Sequence, residues 1–471
     1  MRFPIILFFL AALCLNSQAH AFGASSWQTQ LQNEIKKIEA QSPDIKAQGE
    51  VTTEESGGVI RAILPTLIVT SPDKSQWTIP SITLQTNNAD ALTGPVTITL
   101  PAQITRQNAG KRDIAAMGIG QQNLSGTWNF ASNSFQSLNG NLKALSFNDS
   151  VIQSNSTVSD VTIAATRPDS IDLSAINIAT AGEKSRSSIG KLTLKYKLPG
   201  NNGLSLLRIV GLLNPALLVA ENKRLALDAT AEQISLTDSD NQTTTMEKLV
   251  SAIQVEETGK KVTGHNQLQA FIVHQSPESA YGFLLPRQLT MNSDIDDLPG
   301  ELISFAPGMS LAMAKESMAR AGTRITIREL NSQGFGPTVI TGHGNLKANG
   351  TVPAGFTGRI TLNIQGLNDA VASMQSQLLN QGGNKSLATQ SMLVTMMLQG
   401  MARQNGNRSE FIIDLTPEGQ ILVNGQDLSG VLPANKVRLP TELPGGGAAI
   451  NPPTQLPSRS VPVVPVTETK I

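Results

Sequence analysis

The chain has 471 residues, and its 36 lysines and arginines balance 36 aspartates and glutamates, so the net charge is zero. That balance, with no basic block, argues against nucleic acid as a partner. Aromatic residues make up 4% of the chain, too few for a stacking cleft that would hold sugars or bases.

The first residues, MRFPIILFFLAALCLNSQAHAFG, carry one positive charge at Arg2, an apolar run from Pro4 to Leu15, and small Ala19 and Ala21 around His20. This pattern predicts a secretory leader over 1–21, cleaved before Phe22, and hence a periplasmic address. A dozen apolar residues are too short for a comfortable membrane span, and no later run is long enough either. Cys14 is the single cysteine. Its removal with the leader would leave no disulfide, thiolate nucleophile or Cys metal site.

Trp27, Leu31, Ile35 and Ile38 fall at helical spacing, which predicts an amphipathic helix over 22–42. From about Gln48 the period changes to two. VIRAILPTLIVT, GPVTITLPAQIT, STVSDVTIAAT, SIDLSAINIAT and GKLTLKYKL are short, rich in Val, Ile and Thr, and separated by turn residues. They predict a continuous antiparallel meander over a β-rich half, 45–200, with one polar face. GLSLLRIVGLLNPALL reads as a buried helix or pair of turns near the start of a second, α+β half, 201–437. In that half LALDATAEQISLTD predicts a strand, Met246 to Ile253 a helix, and Gln267 to Val273 a strand.

Leu311, Ala314, Met318 and Ala321 align as one helical face. Strands follow in TRITIREL, GPTVITGHGNLKANG and TGRITLNIQGL, then helices at Leu367 to Asn380 and Ser386 to Arg403. The hairpin EFIIDLTPEGQILVNGQDL turns at Pro417, Glu418 and Gly419. The Pro- and Gly-rich stretch 438–471 predicts an extended tail. The pentapeptide GNLKA occurs twice, at Gly140 to Ala144 and at Gly344 to Ala348, each in a strand after a turn, and shared strand context explains it better than duplication.

No catalytic signature emerges. His265, His274 and His343 have no zinc spacing; His274 reads as a solvent-facing strand residue and His343 as a turn residue. SPDK at Ser71 is a turn, DSDNQ at Asp238 and Asp240 lacks the glycine and glutamate of a calcium loop, and GIGQQN at Gly118 lacks a parallel-sheet context. Asp294, Asp296 and Asp297 form the densest acidic cluster, where capping and solvation outweigh weak cation binding. Neither a metal site nor a cofactor is expected. The unusual element is MLVTMMLQGMARQ, a soft apolar helix whose theme repeats at Met309, Met313 and Met318.

TRITIRELNSQGFGPTVITGHGNLKANGTVPAGFTGRITLNIQGLNDAVASM and EFIIDLTPEGQILVNGQDLSGVLP resemble the exported alphaproteobacterial family catalogued as domain of unknown function 2125, over roughly Leu298 to Pro433. That resemblance implies location and architecture and supplies no catalytic residues. More distantly, G-x-L strands alternating with terminal helices are similar to envelope proteins of the AsmA type, whose curved sheets are thought to cradle lipid.

The expected fold is α+β: a long twisted antiparallel sheet with helices on its apolar face. The expected role is non-enzymatic, in the periplasm, with lipid or another apolar ligand held in a groove between sheet and helices. Met309, Met313, Met318, Met392, Leu393, Met396 and Met397 are the candidate lining residues. The alternative is a scaffolding protein that docks an envelope partner through a sheet edge or the tail.

Overall fold

The computed structural model describes residues 23–41, 44–70, 74–87, 93–130, 132, 134–151, 153–167, 169–182, 185–197, 224–238, 241–258, 261–276, 285–299, 311–334, 338–370, 372 and 385–427. The predicted leader, the segment GLSLLRIVGLLNPALL, most of the helix predicted over Leu367 to Asn380 and the tail lie outside the described residues. The fold is α+β, dominated by one antiparallel sheet.

Helix α1 (Ala24–Gln41) buries Trp27, Leu31, Ile35 and Ile38, the face its spacing predicts. Each such burial contributes about 2 kcal/mol, enough to hold an 18-residue helix that would be marginal alone. The helix packs against β1 (Ile45–Gln48), β2 (Thr52–Ser56) and β3 (Val59–Ile63). Five short strands follow: β4 (Thr66–Thr70), β5 (Gln76–Ile79), β6 (Thr83–Thr86), β7 (Thr93–Thr99) and β8 (Gln103–Gln107). They form two branches, β1-β4-β5-β8 and β2-β3-β6-β7.

Both branches end on one edge of β9 (Asp113–Asn129), β8 on its first half and β7 on its second. Gln122 sits at the fork. Its side chain accepts from the Leu100 N–H at 2.6 Å and donates to the Leu100 carbonyl at 2.9 Å, replacing the ladder where the two strands part. The cage so formed is filled by aromatic side chains, with Trp27 edge-on to Phe130, Trp128 edge-on to Phe135 and Trp77 stacked on Phe147.

From β9 onward the sheet is a simple meander of long strands: β10 (Ser134–Asp149), β11 (Ser154–Arg167), β12 (Ser170–Ala181), β13 (Arg186–Lys197), β14 (Arg224–Thr237), β15 (Thr243–Thr258), β16 (Lys261–Ser276) and β17 (Pro286–Asp296). Strands β13 and β14 pair along their length, from Arg186 opposite Thr237 to Lys197 opposite Ala226, so the two predicted halves share one sheet. Helix α2 (Leu311–Ala321) precedes β18 (Arg324–Gly334), β19 (Val339–Ala348) and β20 (Phe356–Gln365). Helix α3 (Lys385–Met401), β21 (Arg403–Asn405), β22 (Arg408–Leu415), β23 (Ile421–Val423) and β24 (Gln426–Asp427) close the fold. The predicted hairpin is present, and Asn424 and Gly425, both at positive φ, add the two-residue turn between β23 and β24.

A crease crosses eight strands. The ladder skips one pair between each neighbouring couple from β9 to β16, and the skipped residues form a single line: Gly120, Ala144, Ser159, Asn177, Gly190, Gln233, Glu247 and Ile272. Alternate members, Ala144, Asn177, Gln233 and Ile272, have φ between 49° and 55°. Two of their neighbours in the line are glycines, and a Cβ on Gly120 would lie 3.0 Å from that of Ala144, one on Gly190 2.9 Å from that of Gln233. Along the crease each strand keeps two consecutive residues outside, so inward positions are three apart, as in Leu142 and Leu145, Val158 and Val161, Ile189 and Leu192, Ala231 and Ile234.

This corrects the helix expected at Met246 to Ile253. The segment is part of strand β15, and the helix-like interval from Met246 to Leu249 is the crease. His343 is likewise a strand residue, opposite Thr361 in β19 and β20, where a turn was expected. GIGQQN lies within β9, at the crease. In both copies of GNLKA the glycine allows close strand approach: a Cβ would sit 2.8 Å from the Leu124 Cα at Gly140 and 3.0 Å from the Ile360 Cα at Gly344.

Candidate functional site

The sheet has one polar and one apolar face, and the registers let each be followed strand by strand. On the outer face the row Lys197, Ala226, Gln254, His265, Asp294 and Thr326 crosses β13 to β18. It floors an open cavity of about 790 Å³ rimmed by Arg224, Glu256 and Arg328. Arg328 is an extra residue in β18, since Asn292 faces Glu329 and Ser293 faces Ile327.

The structure thus joins two groups that sequence distance kept apart: His265 Nδ1 lies 2.9 Å from Asp294 Oδ1, and Arg328 bonds the other carboxylate oxygen. Burial pushes the Asp294 carboxyl up, but hydrogen bonds from His265 and Arg328, with their charges, outweigh it and hold the group below the usual carboxylate range. A histidine oriented by a carboxylate is half of a nucleophile–base arrangement. Among the described residues no hydroxyl bonds the ring to complete one. Lys197 pairs with Asp228 at 2.9 Å and Arg224 with Glu256 at 2.8 Å, so the cavity is floored by cross-strand ion pairs on a solvated face. No group of three potential ligands for a metal occurs among the described residues. Asp297, at φ 55°, has its carbonyl bonded by the Thr323 hydroxyl.

The inner face offers a different surface. One row of directly opposed residues runs Leu124, Gly140, Ile163, Leu173, Leu194, Ala229, Ser251, Leu268, Met291, Leu330, Gly342, Leu362 and Phe411, from β9 to β22. Burial changes along it. Leu124, Ile163 and Leu173 are buried, every residue from Leu194 to Leu362 is half-buried, and Phe411 is buried again at 3% exposure. In the next row Ile171, Tyr196 and Leu227 are buried, Ile253, Ile327, Ile360 and Ile413 are half-buried, and the small Ser293 and Gly344 are buried between them.

Two cores therefore flank a shallow apolar trough. The larger extends from Trp27 to Val255, and the smaller joins Ile364, Leu367, Phe411 and Val423 with Leu398 and Met401 of α3. Leu194, Leu249 and Ile253 of β13 and β15 are half-buried but still pack against the larger core, so five strands, β16 to β20, floor the trough, a width of about 19 Å at normal strand spacing. Small residues on this face, Ser293, Ser332, Gly342, Gly344 and Gly358, lower the floor. A Cβ on Gly342 would press on Leu362 Cδ2 at 2.6 Å. Helix α2 packs at the end of β19, where Lys315 Nζ donates to the Pro353 carbonyl and the Ala348 N–H to that of Thr323. Asn424 fixes α3, donating to the Met401 and Glu410 carbonyls.

The predicted lining residues are only partly where they were expected. Met309 lies outside the described residues, as does the side chain of Met313; Met318 and Met392 are half-buried. Leu393, Met396 and Met397 are 60%, 52% and 41% exposed, while Thr395 is the buried residue between them. The helix packs on the smaller core through Leu398 and Met401, and positions 393, 396 and 397 lie off that contact. The floor residues Leu268, Met291, Ile327, Leu330 and Leu362 were missed as a site. Their signal is the alternation in TRITIREL and TLNI together with the paired glycines of GHGNL.

No helix among the described residues is long and apolar enough to cross a membrane. No family model, curated protein or solved structure matches the chain.

Proposed function

We propose that the protein is a non-enzymatic periplasmic envelope protein that holds a lipid or another apolar ligand in the trough over β16 to β20. The observation that carries this is the loss and return of burial along one inner row, from Leu173 through Met291 and Leu330 to Phe411, in a face that is mostly aliphatic and interrupted by Ser251, Asn266, Ser293 and Ser332. Half-buried leucine, isoleucine and methionine between two closed cores leave apolar area that an acyl chain would remove from water, at roughly 25 cal/mol per Å². The leader pattern supports the address. The distant similarity to AsmA-type sheets points the same way.

Native mass spectrometry of protein purified from the cell envelope without detergent tests this, with lipid identification after denaturation. A stoichiometric acyl adduct is expected in the wild type and is lost in Met291→Lys with the fold retained. A clean apo mass in the wild type would sink the proposal.

A further inference from the structure

The exposed side of α3 has no part in the trough. Leu393, Met396 and Met397, with Gly400, occupy positions i, i+3, i+4 and i+7, one stripe of the helix surface. Leu393, Met396 and Met397 are three of only six large hydrophobic residues that the described chain leaves exposed, and the only three that adjoin one another in this way. Along the chain the local charge is one-sided, although exposed Asp369 lies beside Asn368, which accepts from Gln399 of the helix at 2.6 Å. Between Asp369 and Glu410 the sequence has no carboxylate and three cations, Lys385, Arg403 and Arg408, although acids and bases balance over the chain. Arg403 and Arg408 are exposed on the hairpin that follows the helix, with half-buried Glu410 opposite Arg403.

We infer that this stripe docks the protein on an anionic bilayer surface, with the three apolar side chains at the headgroup–acyl boundary and the two arginines among the phosphates. A second copy of the chain fits less well. Three side chains about half exposed offer on the order of 250 to 300 Å², about a third of the roughly 800 Å² per partner that a stable interface takes. A bilayer needs no such area, because a few inserted residues and nearby cations add up. The inference is independent of whether the trough binds a ligand.

Gly400 supplies a local probe. It lies on the stripe, and a Cβ there would meet nothing within 4 Å. In Gly400→Trp the introduced indole therefore projects where the bilayer would be, while Trp27, Trp77 and Trp128 are buried and form a constant background. The full exported protein carrying this substitution is mixed with vesicles of phosphatidylethanolamine and phosphatidylglycerol containing brominated acyl chains. Quenching and a blue shift are expected for the variant and neither for the wild type. Adding Leu393→Gln, Met396→Gln and Met397→Gln should weaken vesicle binding at least tenfold, and Arg403→Gln or Arg408→Gln about fivefold each. Neutral phosphatidylcholine vesicles should bind much less.

Three outcomes would overturn the inference. They are an indole that stays unquenched on vesicles, an indole already shielded from iodide before vesicles are added, which would mean that the chain itself covers the stripe, or concentration-dependent dimers abolished by the triple substitution.

Discussion

The inner face of β9 to β15 and that of β16 to β20 are built from the same aliphatic residues, yet the first is sealed and the second half open. What differs is the filling. The sealed part carries Trp27, Trp77, Trp128, Phe130, Phe135 and Phe147, and is covered by α1 and by the two branches that meet on β9. The open part carries Ser293 and Gly344 in the row where the sealed part has Ile171, Tyr196 and Leu227, and Gly358 in the row of Leu225 and Val255. An apolar face alone does not decide between core and binding surface. The size of the residues on it does.

The sharpest way to break this comparison is to truncate one residue in each part and follow thermal or denaturant unfolding. Trp128 is fully buried, with its ring 4.5 Å from that of Phe135, so Trp128→Ala should cost about 4 kcal/mol. Ile327 is half-buried on the trough floor, and Ile327→Ala should cost about 1 kcal/mol. Equal costs would mean that the trough is core.

Tyr196 lies within the sealed part, on β13, and its phenol is pushed up to about 12 by burial. A group whose folded value is raised adds stability that is fully present below its unfolded value near 10 and is lost as pH rises through the folded one. Between pH 10 and 12 the fold should therefore lose about 2 to 3 kcal/mol at this site. Tyr196→Phe should flatten that part of the stability–pH curve, measured by urea unfolding at each pH. An unchanged slope would place Tyr196 in contact with water and open the sealed part at β13.

Much of this was legible in the sequence, because local rules fix it. The four inward residues of α1 follow the helical period, and the strands of the meander follow the period of two. The fork at β9 was not legible, since nothing local says that one strand edge takes two partners and that Gln122 bridges them. Nor was the trough, because the residues that form it are set by register across strands far apart in the chain. The methionines stand out by composition, but composition does not say which way a helix turns, and Leu398 and Met401 are the residues of α3 that meet the smaller core. The crease misled outright. Two outward residues in succession give apolar spacing of three, which is the start of a helical pattern.

The smallest of these effects is expected at the crease itself. Ile272 is the crease residue of β16, with φ 49° and a side chain 40% exposed. A β-branched residue in the left-handed region costs roughly 1 to 2 kcal/mol, and here little buried area offsets it. Asparagine tolerates that conformation, as Asn177 does on the same line in β12. If the crease is imposed by the whole sheet, Ile272→Asn should relieve local strain and raise stability by about 1 kcal/mol, read as a higher urea midpoint at constant slope. If Ile272 instead holds the crease in place, the same substitution should lower the midpoint. The sealed rows on either side of the line, from Leu145 to Val273 and from Leu142 to Ala270, would then loosen together, and the sealed part would come to resemble the open one.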